Sequence, residues 1–190
     1  MDEVFINDKT FNKVDFTKQA LEKGEYDNCI FINCNFSETH LSNITFIDCE
    51  FEQCNLSLVK FKNTVLNTIN FTNCKLLGVD FSVCNPFSLV INFKECTLNM
   101  SSFYQMNLKQ TKFDKCILHE IDFVLANLSQ VNFNMCDLKK AIFKETNLEK
   151  VDFRTAINYS FDLDNNKVNK AQFSKENIIT LFNKYNIEIE

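Results

Sequence analysis

Large hydrophobic residues recur at every fifth position along most of the chain. Phenylalanine or leucine, with one tyrosine, occupies fifteen consecutive positions of this kind from Phe11 to Phe81 and thirteen more from Phe93 to Phe153. A period of five matches neither the 3.6-residue period of an α-helix nor the two-residue period of a β-strand. Such a repeat requires identical units stacked on one another, so the pattern predicts an all-β solenoid.

The cysteines indicate how long one coil of the solenoid is. Six of them are 20 residues apart, with a single interval of 22: Cys34, Cys54, Cys74, Cys96, Cys116 and Cys136. The same two extra residues separate the two runs of phenylalanine and leucine. Four five-residue units (pentads) per coil place these cysteines above one another. Adjacent coils are then about 4.8 Å apart, and seven coils make a rod of roughly 34 Å.

Each pentad is predicted to turn two side chains inward, at its central position and at the position two residues earlier. All nine cysteines occupy that earlier position, where a thiol behaves as a small hydrophobe. Cysteines stacked in register point the same way and cannot adopt the torsion of a disulfide without backbone movement. Buried, reduced thiols in a reducing compartment are therefore favoured over metal or redox roles, and no cofactor is expected.

The units resemble those of the pentapeptide-repeat family, in which a small residue and Asp or Asn precede a central Leu or Phe. Matching units include Val14-Asp15-Phe16, Cys34-Asn35-Phe36, Ala126-Asn127-Leu128 and Val151-Asp152-Phe153. The resemblance implies a right-handed quadrilateral β-helix. It implies no activity by itself, because one fold can host many functions.

The repeat also divides the chain. We predict an N-terminal cap over residues 1–10 and the pentapeptide-repeat β-helix over residues 11–153, with an irregular loop at residues 82–92. Residues 154–190 are predicted to form a degenerate last coil, a short capping helix and a C-terminal strand.

The irregular loop is a candidate contact site. Pro86 falls on a central position but cannot donate a hydrogen bond to the next coil. We expect the chain to bulge outward and to display Phe87 or Leu89 at a corner. The alternative is a tolerated packing defect, with these apolar side chains tucked back against the core.

The C-terminal segment departs from the repeat as well. Asn158 falls on a central position, and Ser174 is placed to cap a helix that Asn186 ends. An open solenoid end exposes its core, so the helix is expected to act as a cap. In the dimeric quinolone-resistance branch of the family, which this chain resembles here without that branch's long loops, a similar segment forms the dimer contact. By that resemblance, the candidate cap and homodimer residues are Phe173, Ile178, Leu181, Phe182, Ile187 and Ile189.

Negative charge is concentrated in the N-terminal part of the chain. Residues 1–81 contain twelve acidic and seven basic residues, whereas residues 82–190 contain thirteen of each. The candidate acidic surface lies where Lys and Arg are absent, between Gly24 and Val59, and consists of Glu25, Asp27, Glu38, Asp48, Glu50 and Glu52. Such a surface repels nucleic acid and attracts a basic partner. A merely solvated acidic face is the alternative.

Little in the sequence points to catalysis. His40 and His119 lie on outward positions, and the repeat gives neither a carboxylate or nucleophile partner. Gly24 and Gly78 are the only glycines, so no phosphate-binding glycine loop is expected. We therefore predict a non-enzymatic protein. The N-terminus lacks the pattern of a signal peptide and no segment has membrane-spanning length, so the expected location is the cytoplasm.

Two functions follow. The first is a rigid protein-interaction module with an unknown partner. The alternative, by resemblance to the quinolone-resistance branch, is a DNA mimic that binds DNA gyrase or topoisomerase IV and confers resistance to quinolones or other topoisomerase poisons.

Overall fold

A computed structural model describes residues 4–185 and 187–188 of the protein. These residues form a right-handed, four-sided β-solenoid, as the sequence predicts. Seven coils occupy residues 9–28 (coil 1), 29–48 (coil 2), 49–68 (coil 3), 69–90 (coil 4, which contains most of the irregular loop), 91–110 (coil 5), 111–130 (coil 6) and 131–150 (coil 7), and an irregular eighth coil follows. We number the four faces by the column of central residues that starts at Phe11 (face 1), Phe16 (face 2), Leu21 (face 3) and Tyr26 (face 4).

All strand pairs in the solenoid are parallel, and two sheets follow two of its faces. A four-stranded sheet in the order β1-β3-β5-β7 forms face 4, and a seven-stranded sheet in the order β11-β10-β9-β8-β6-β4-β2 forms face 1. The strands are β1 (Val4–Asn7), β2 (Thr10–Asn12), β3 (Gly24–Asp27), β4 (Ile30–Ile32), β5 (Thr45–Ile47), β6 (Glu50–Glu52), β7 (Val65–Asn67), β8 (Ile69–Thr72), β9 (Ile91–Lys94), β10 (Lys112–Asp114) and β11 (Phe133–Asn134). Isolated parallel bridges connect the coils on faces 2 and 3, and further bridges continue faces 1 and 4 beyond their sheets.

In most pentads the corner lies two residues after the central residue and has a left-handed backbone. Asn28, Asn33 and Asn73 adopt φ angles of 50°, 53° and 53° there. Asparagine tolerates this region better than most residues. The corner N–H then points to the next coil, as when Asn33 N donates to Glu52 O at 2.9 Å. The left-handed corner therefore turns the chain and preserves the hydrogen-bond ladder.

Two columns of phenylalanine fill the core and interlock. Along face 1, Phe93 stacks on Phe113 with ring centroids 5.4 Å apart and planes within 14°. Across the interior, Phe103 of face 3 meets Phe113 edge-on at 6.0 Å and 87°. Both arrangements are favourable for aromatic rings. The prediction that the central residues turn inward and stack from coil to coil is confirmed.

All nine cysteines are buried, as the sequence predicts. Eight of the thiols donate to a carbonyl group of the preceding coil; for example, Cys54 Sγ lies 3.2 Å from Phe31 O, and Cys74 Sγ lies 3.2 Å from Phe51 O. Burial raises the pKa of Cys49 and of Cys84 to about 12. Because the thiolate is the reactive form, these thiols are suited to packing rather than to chemistry.

The eighth coil corrects one prediction. Asn158 does not occupy the central position; it is exposed and adopts a corner conformation with a φ of 59°. The next residue, Tyr159, enters the core in its place and is fully buried. An aromatic ring gains far more from burial than an amide does, so the chain shifts by one residue. The Tyr159 hydroxyl has no hydrogen-bond partner in the described structure.

The C-terminal helix also differs from its prediction. Ser174 Oγ accepts a hydrogen bond from Asn177 N at 3.0 Å, as in a helix cap, but the helix is a 3₁₀ helix at Ile178–Tyr185. Residues three apart lie above one another in such a helix. Asn177, directly before this helix, donates through Nδ2 to Ala156 O at 2.9 Å, and Thr180 in its first turn donates through Oγ1 to Tyr159 O at 2.5 Å. These side chains take the place of a next coil.

The predicted C-terminal strand is not formed at residues 187 and 188. Its remaining residues, including Ile189, lie outside the described residues, as does the predicted helix end at Asn186.

Candidate interaction surfaces

Five of the six candidate acidic residues lie on two adjacent faces of the rod. Glu25 and Asp27 are on strand β3 of face 4, Asp48 is at the following corner, and Glu50 and Glu52 are on strand β6 of face 1. In the strand register, Thr45 is the partner of Glu25, and Ile30 and Asn70 flank Glu50. The carboxylates are thus staggered around one corner of coils 1 to 3.

Glu38 is not part of this group. It lies at the corner after face 2 and lines a shallow groove of about 580 Å³ together with Thr39 and His40. Asp8, which was not among the predicted acidic residues, occupies the same corner column as Asp48. Asn28 lies between them in that column, and its Nδ2 donates to Asp8 Oδ1 at 2.5 Å. The 20-residue spacing from Asp8 to Asp48 was the available signal.

The irregular loop interrupts face 4 in coil 4. Pro86 is exposed and Phe87 is 79% exposed, whereas Leu89 is half-buried and packs against the core. The loop occupies the place of a fifth strand, so the four-stranded sheet ends at β7. A groove of about 530 Å³ separates the loop from coil 5, with Cys84, Pro86, Leu89, Tyr104 and Met106 among its lining residues.

The structure corrects the prediction that His119 has no carboxylate partner. His119 Nε2 lies 2.8 Å from Asp137 Oδ2 in the next coil, and Asn158 Nδ2 donates to Asp137 Oδ1 at 2.8 Å. These two side chains together hold the pKa of Asp137 below its ordinary value, although partial burial opposes them. The register pairs Asp137 with Ile117, so its contact with His119, two residues further along the chain, runs diagonally between the two coils.

The candidate cap residues fall into two groups. Leu181 is only 2% exposed and Phe173 and Ile178 pack against the core, so these three cover the end of the solenoid. Phe182 is half-buried and Ile187 is exposed. Ile179 and Tyr185, which were not among the candidates, are also exposed. The outer side of the cap is therefore partly apolar.

Within residues 4–185 and 187–188, no three His, Cys, Asp or Glu side chains are grouped to hold a metal ion. The same part of the chain contains no helix that is long and apolar enough to span a membrane.

The sequence and fold define the family. The sequence model for the pentapeptide repeat region matches residues 25–103 and 91–173. The chain therefore belongs to the pentapeptide-repeat family. No curated protein matches the chain.

Solved structures with the same fold include two well-described relatives. A trypsin-treated form of QnrB1, a plasmid-mediated fluoroquinolone resistance protein, is similar over 97% of this chain and 91% of its own, with 16% identity and a TM-score of 0.77. HetL, a pentapeptide repeat protein involved in heterocyst differentiation regulation in the cyanobacterium Nostoc sp. strain PCC 7120, is similar over 89% of this chain and 86% of its own. Its identity is 15% and its TM-score 0.53. At these identities the likeness shows the shared fold alone.

Proposed function

We propose that the protein is a non-enzymatic interaction module that binds a protein partner in the cytoplasm. The observation that carries this proposal is the in-register stacking of the coils, which holds outward polar side chains at fixed spacings of about 4.8 Å along each face. A rigid array loses little conformational freedom on binding, which favours association. The nucleophilic thiols are buried in the core, which favours binding over covalent chemistry.

The partner surface that best fits is basic. Glu25, Asp27, Asp48, Glu50 and Glu52 surround one corner of the rod, and opposite charge on a partner speeds encounter and fixes orientation. The net charge of −5 has the same sign. Nucleic acid is repelled by such a surface.

Charge removal at this corner tests the proposal. Asp48→Asn, Glu50→Gln and Glu52→Gln are combined in one variant, and Glu145→Gln, Glu149→Gln and Asp164→Asn in a control on the C-terminal coils. We expect a host protein captured by the wild type to be retained by the control and lost from the corner variant, with retention falling as salt rises. Equal retention by the two variants would exclude this corner as the contact.

A second candidate function is DNA mimicry toward DNA gyrase or topoisomerase IV. It is favoured by the same corner, since a narrow rod with carboxylates along one edge matches a saddle that otherwise holds DNA. QnrB1, of the same fold, is a fluoroquinolone resistance protein.

A supercoiling assay with purified gyrase, with and without a fluoroquinolone, separates the two candidates. DNA mimicry predicts inhibition or drug protection that the corner variant loses and the control variant keeps. Unchanged supercoiling at tens of micromolar folded protein would remove this candidate and leave the general interaction module.

We also propose that the protein forms a homodimer through the outer side of its cap. The exposed apolar side chains of Ile179 and Ile187 support this contact. Ile179→Glu combined with Ile187→Glu should give a monomer in sedimentation at micromolar concentration while Leu181 keeps the solenoid covered. A wild type that sediments as a monomer would contradict the dimer and leave the segment as a cap only.

A further inference from the structure

The groove beside the irregular loop lies where the hydrogen-bond ladder of face 4 is broken. Asn147 N donates to Ala126 O at 2.9 Å, and Asn127 N donates to Met106 O at 2.8 Å. The next residue of this column is Asn107. Its N–H has no backbone acceptor in coil 4, although Asn107 and all of coil 4 belong to the described part of the chain.

The carbonyl oxygen of Asn107 on the same edge also lacks the backbone donor that the other residues of its column have. Leu128 N donates to Asn147 O, and Leu108 N donates to Asn127 O. The corresponding Asn107 O receives no backbone hydrogen bond within residues 4–185. Parallel bridges join Asn107 to Asn127 and Asn127 to Asn147, and none joins Asn107 to the loop. Asn107, an isolated bridge residue, therefore presents a free main-chain N–H and C=O to the groove.

The groove has room and apolar contacts beside this edge. Its volume of about 530 Å³ is within the roughly 300–1,000 Å³ range of ligand sites. Leu89 and Met106 are half-buried on its two sides, and the exposed ring of Tyr104 also lines it. A polar main-chain edge next to an apolar recess matches an extended polypeptide, whose backbone pairs and whose alternate side chains point into pockets.

The charges around the groove select the kind of polypeptide. Lys109 is exposed two residues after Asn107. Lys62 is exposed in coil 3, where the register places it beside Ser82 of coil 4. No acidic residue is among those that line the groove. The carboxylate of Asp80 accepts hydrogen bonds from Ser82 N and Oγ at 2.9 and 2.6 Å. Charge complementarity therefore favours acidic residues in the bound segment.

The geometry points to a peptide-binding groove between the loop and coil 5, which takes an extended segment of a partner protein with an apolar side chain flanked by acidic residues. The segment pairs with Asn107 N and O and inserts its apolar side chain between Leu89 and Met106. This site rests on the proposal that the rod binds proteins, but it lies apart from the acidic corner.

A phage-displayed library of random linear dodecapeptides tests the site on the full chain. We expect selected peptides to alternate an apolar residue with acidic ones, and Met106→Glu to weaken their affinity by at least about tenfold, a change of about 1.4 kcal/mol. Met135→Glu is the matched control on an exposed methionine of face 1 and should leave affinity unchanged. Because Met106 also packs on the core, Tyr104→Ser at an exposed lining residue gives a second variant with little folding cost, and the expected loss of affinity is at least threefold.

Backbone pairing has its own readout. Binding should slow hydrogen exchange of the Asn107 amide at least tenfold, and N-methylation of the peptide at its pairing residues should abolish that protection. The site is overturned if no peptide is enriched, if enriched peptides bind both the Met106→Glu and Tyr104→Ser variants like the wild type, or if Asn107 exchange is unchanged. Loss of the host partner from the acidic-corner variant, with peptide binding intact, would separate the two surfaces.

Discussion

Coil 6 and coil 8 complete the same core by different means. In coil 6 the central residues keep the repeat, and the backbone pairs with a coil on each side, as when Leu118 N donates to Asp137 O at 2.8 Å. In coil 8 the repeat lapses, and the side chains of Asn177 and Thr180 donate to its carbonyl groups. A solenoid coil thus needs either a neighbouring backbone or side chains that substitute for one.

Phe113→Ala in coil 6 should lower the free energy of unfolding by about 3–5 kcal/mol, because the ring is enclosed by rings on both sides. Phe173→Ala, at the end of the same column and stacked on Phe153 alone along it, should cost less than half as much. Urea unfolding of both variants measures the difference. Equal losses would show that the end of the rod is as tightly packed as its middle.

Cys116→Ala should cost about 1–2 kcal/mol, since it leaves a small cavity and removes the contact of Cys116 Sγ with Phe93 O at 3.5 Å. In the native wild type, a thiol reagent should label this column only as fast as the protein unfolds. Rapid native labelling, or zinc bound in stoichiometric amount, would contradict a packing role for the thiols.

Asn177→Ala combined with Thr180→Val should cost about 1–2 kcal/mol, because two carbonyl groups of coil 8 lose their donors. Hydrogen exchange should quicken in coil 8 and stay unchanged in coil 6. Ser37→Ala is a control, because its hydroxyl bonds only to Asn35 of the same pentad. Uniformly faster exchange along the rod would mean that the cap stabilises all coils together.

Tyr159→Phe should raise stability by up to about 1 kcal/mol, because it removes a buried hydroxyl that has no partner in the described structure. Tyr26→Phe is the matched control. The Tyr26 hydroxyl donates to Glu22 O at 2.8 Å, so its removal should cost about 1 kcal/mol. Thermal unfolding of both variants gives the two signs, and a loss of stability in Tyr159→Phe would reveal a partner for this hydroxyl.

The His119 and Asp137 pair should give the smallest effect, below about 1 kcal/mol, because both side chains are partly exposed. The pKa of Asp137 is lowered in the folded protein. Its stabilising effect is therefore complete above the ordinary aspartate pKa of about 3.9 and is lost as pH falls through the lower folded value. Asp137→Asn should remove this acid dependence in urea unfolding between about pH 5 and pH 2. If the variant keeps the acid dependence of the wild type, that dependence belongs to other carboxylates.

The regular part of the fold follows from the sequence because one period repeats many times. Spacing of Phe113 from Phe133 equals that of Cys116 from Cys136, so coil length, inward positions and thiol burial are all fixed together. The predicted places of Phe87 and Leu89 are less determined, since Pro86 marks an interruption without setting its path. The structure exposes Phe87 and packs Leu89 inward.

The candidate surfaces depend more on the stacking of coils. Glu38 was grouped with Asp48 because both belong to a stretch free of basic residues, but the four-sided geometry sends them to different corners. The contact between His119 and Asp137 joins residues 18 apart. Asp137 precedes the central residue Leu138, whereas His119 follows the central residue Leu118. Aligning equivalent positions of neighbouring coils therefore does not pair them.

The sequence by itself determined the four-sided solenoid, its 20-residue coil and its core of phenylalanine, leucine and cysteine. A strict period leaves a buried side chain only one way to face inward. The tertiary structure alone decided how the repeat ends and where it breaks. The inward turn of Tyr159 follows from the burial of its ring, whereas the 3₁₀ cap and the free edge of Asn107 depend on which backbone groups a neighbouring coil leaves without a partner.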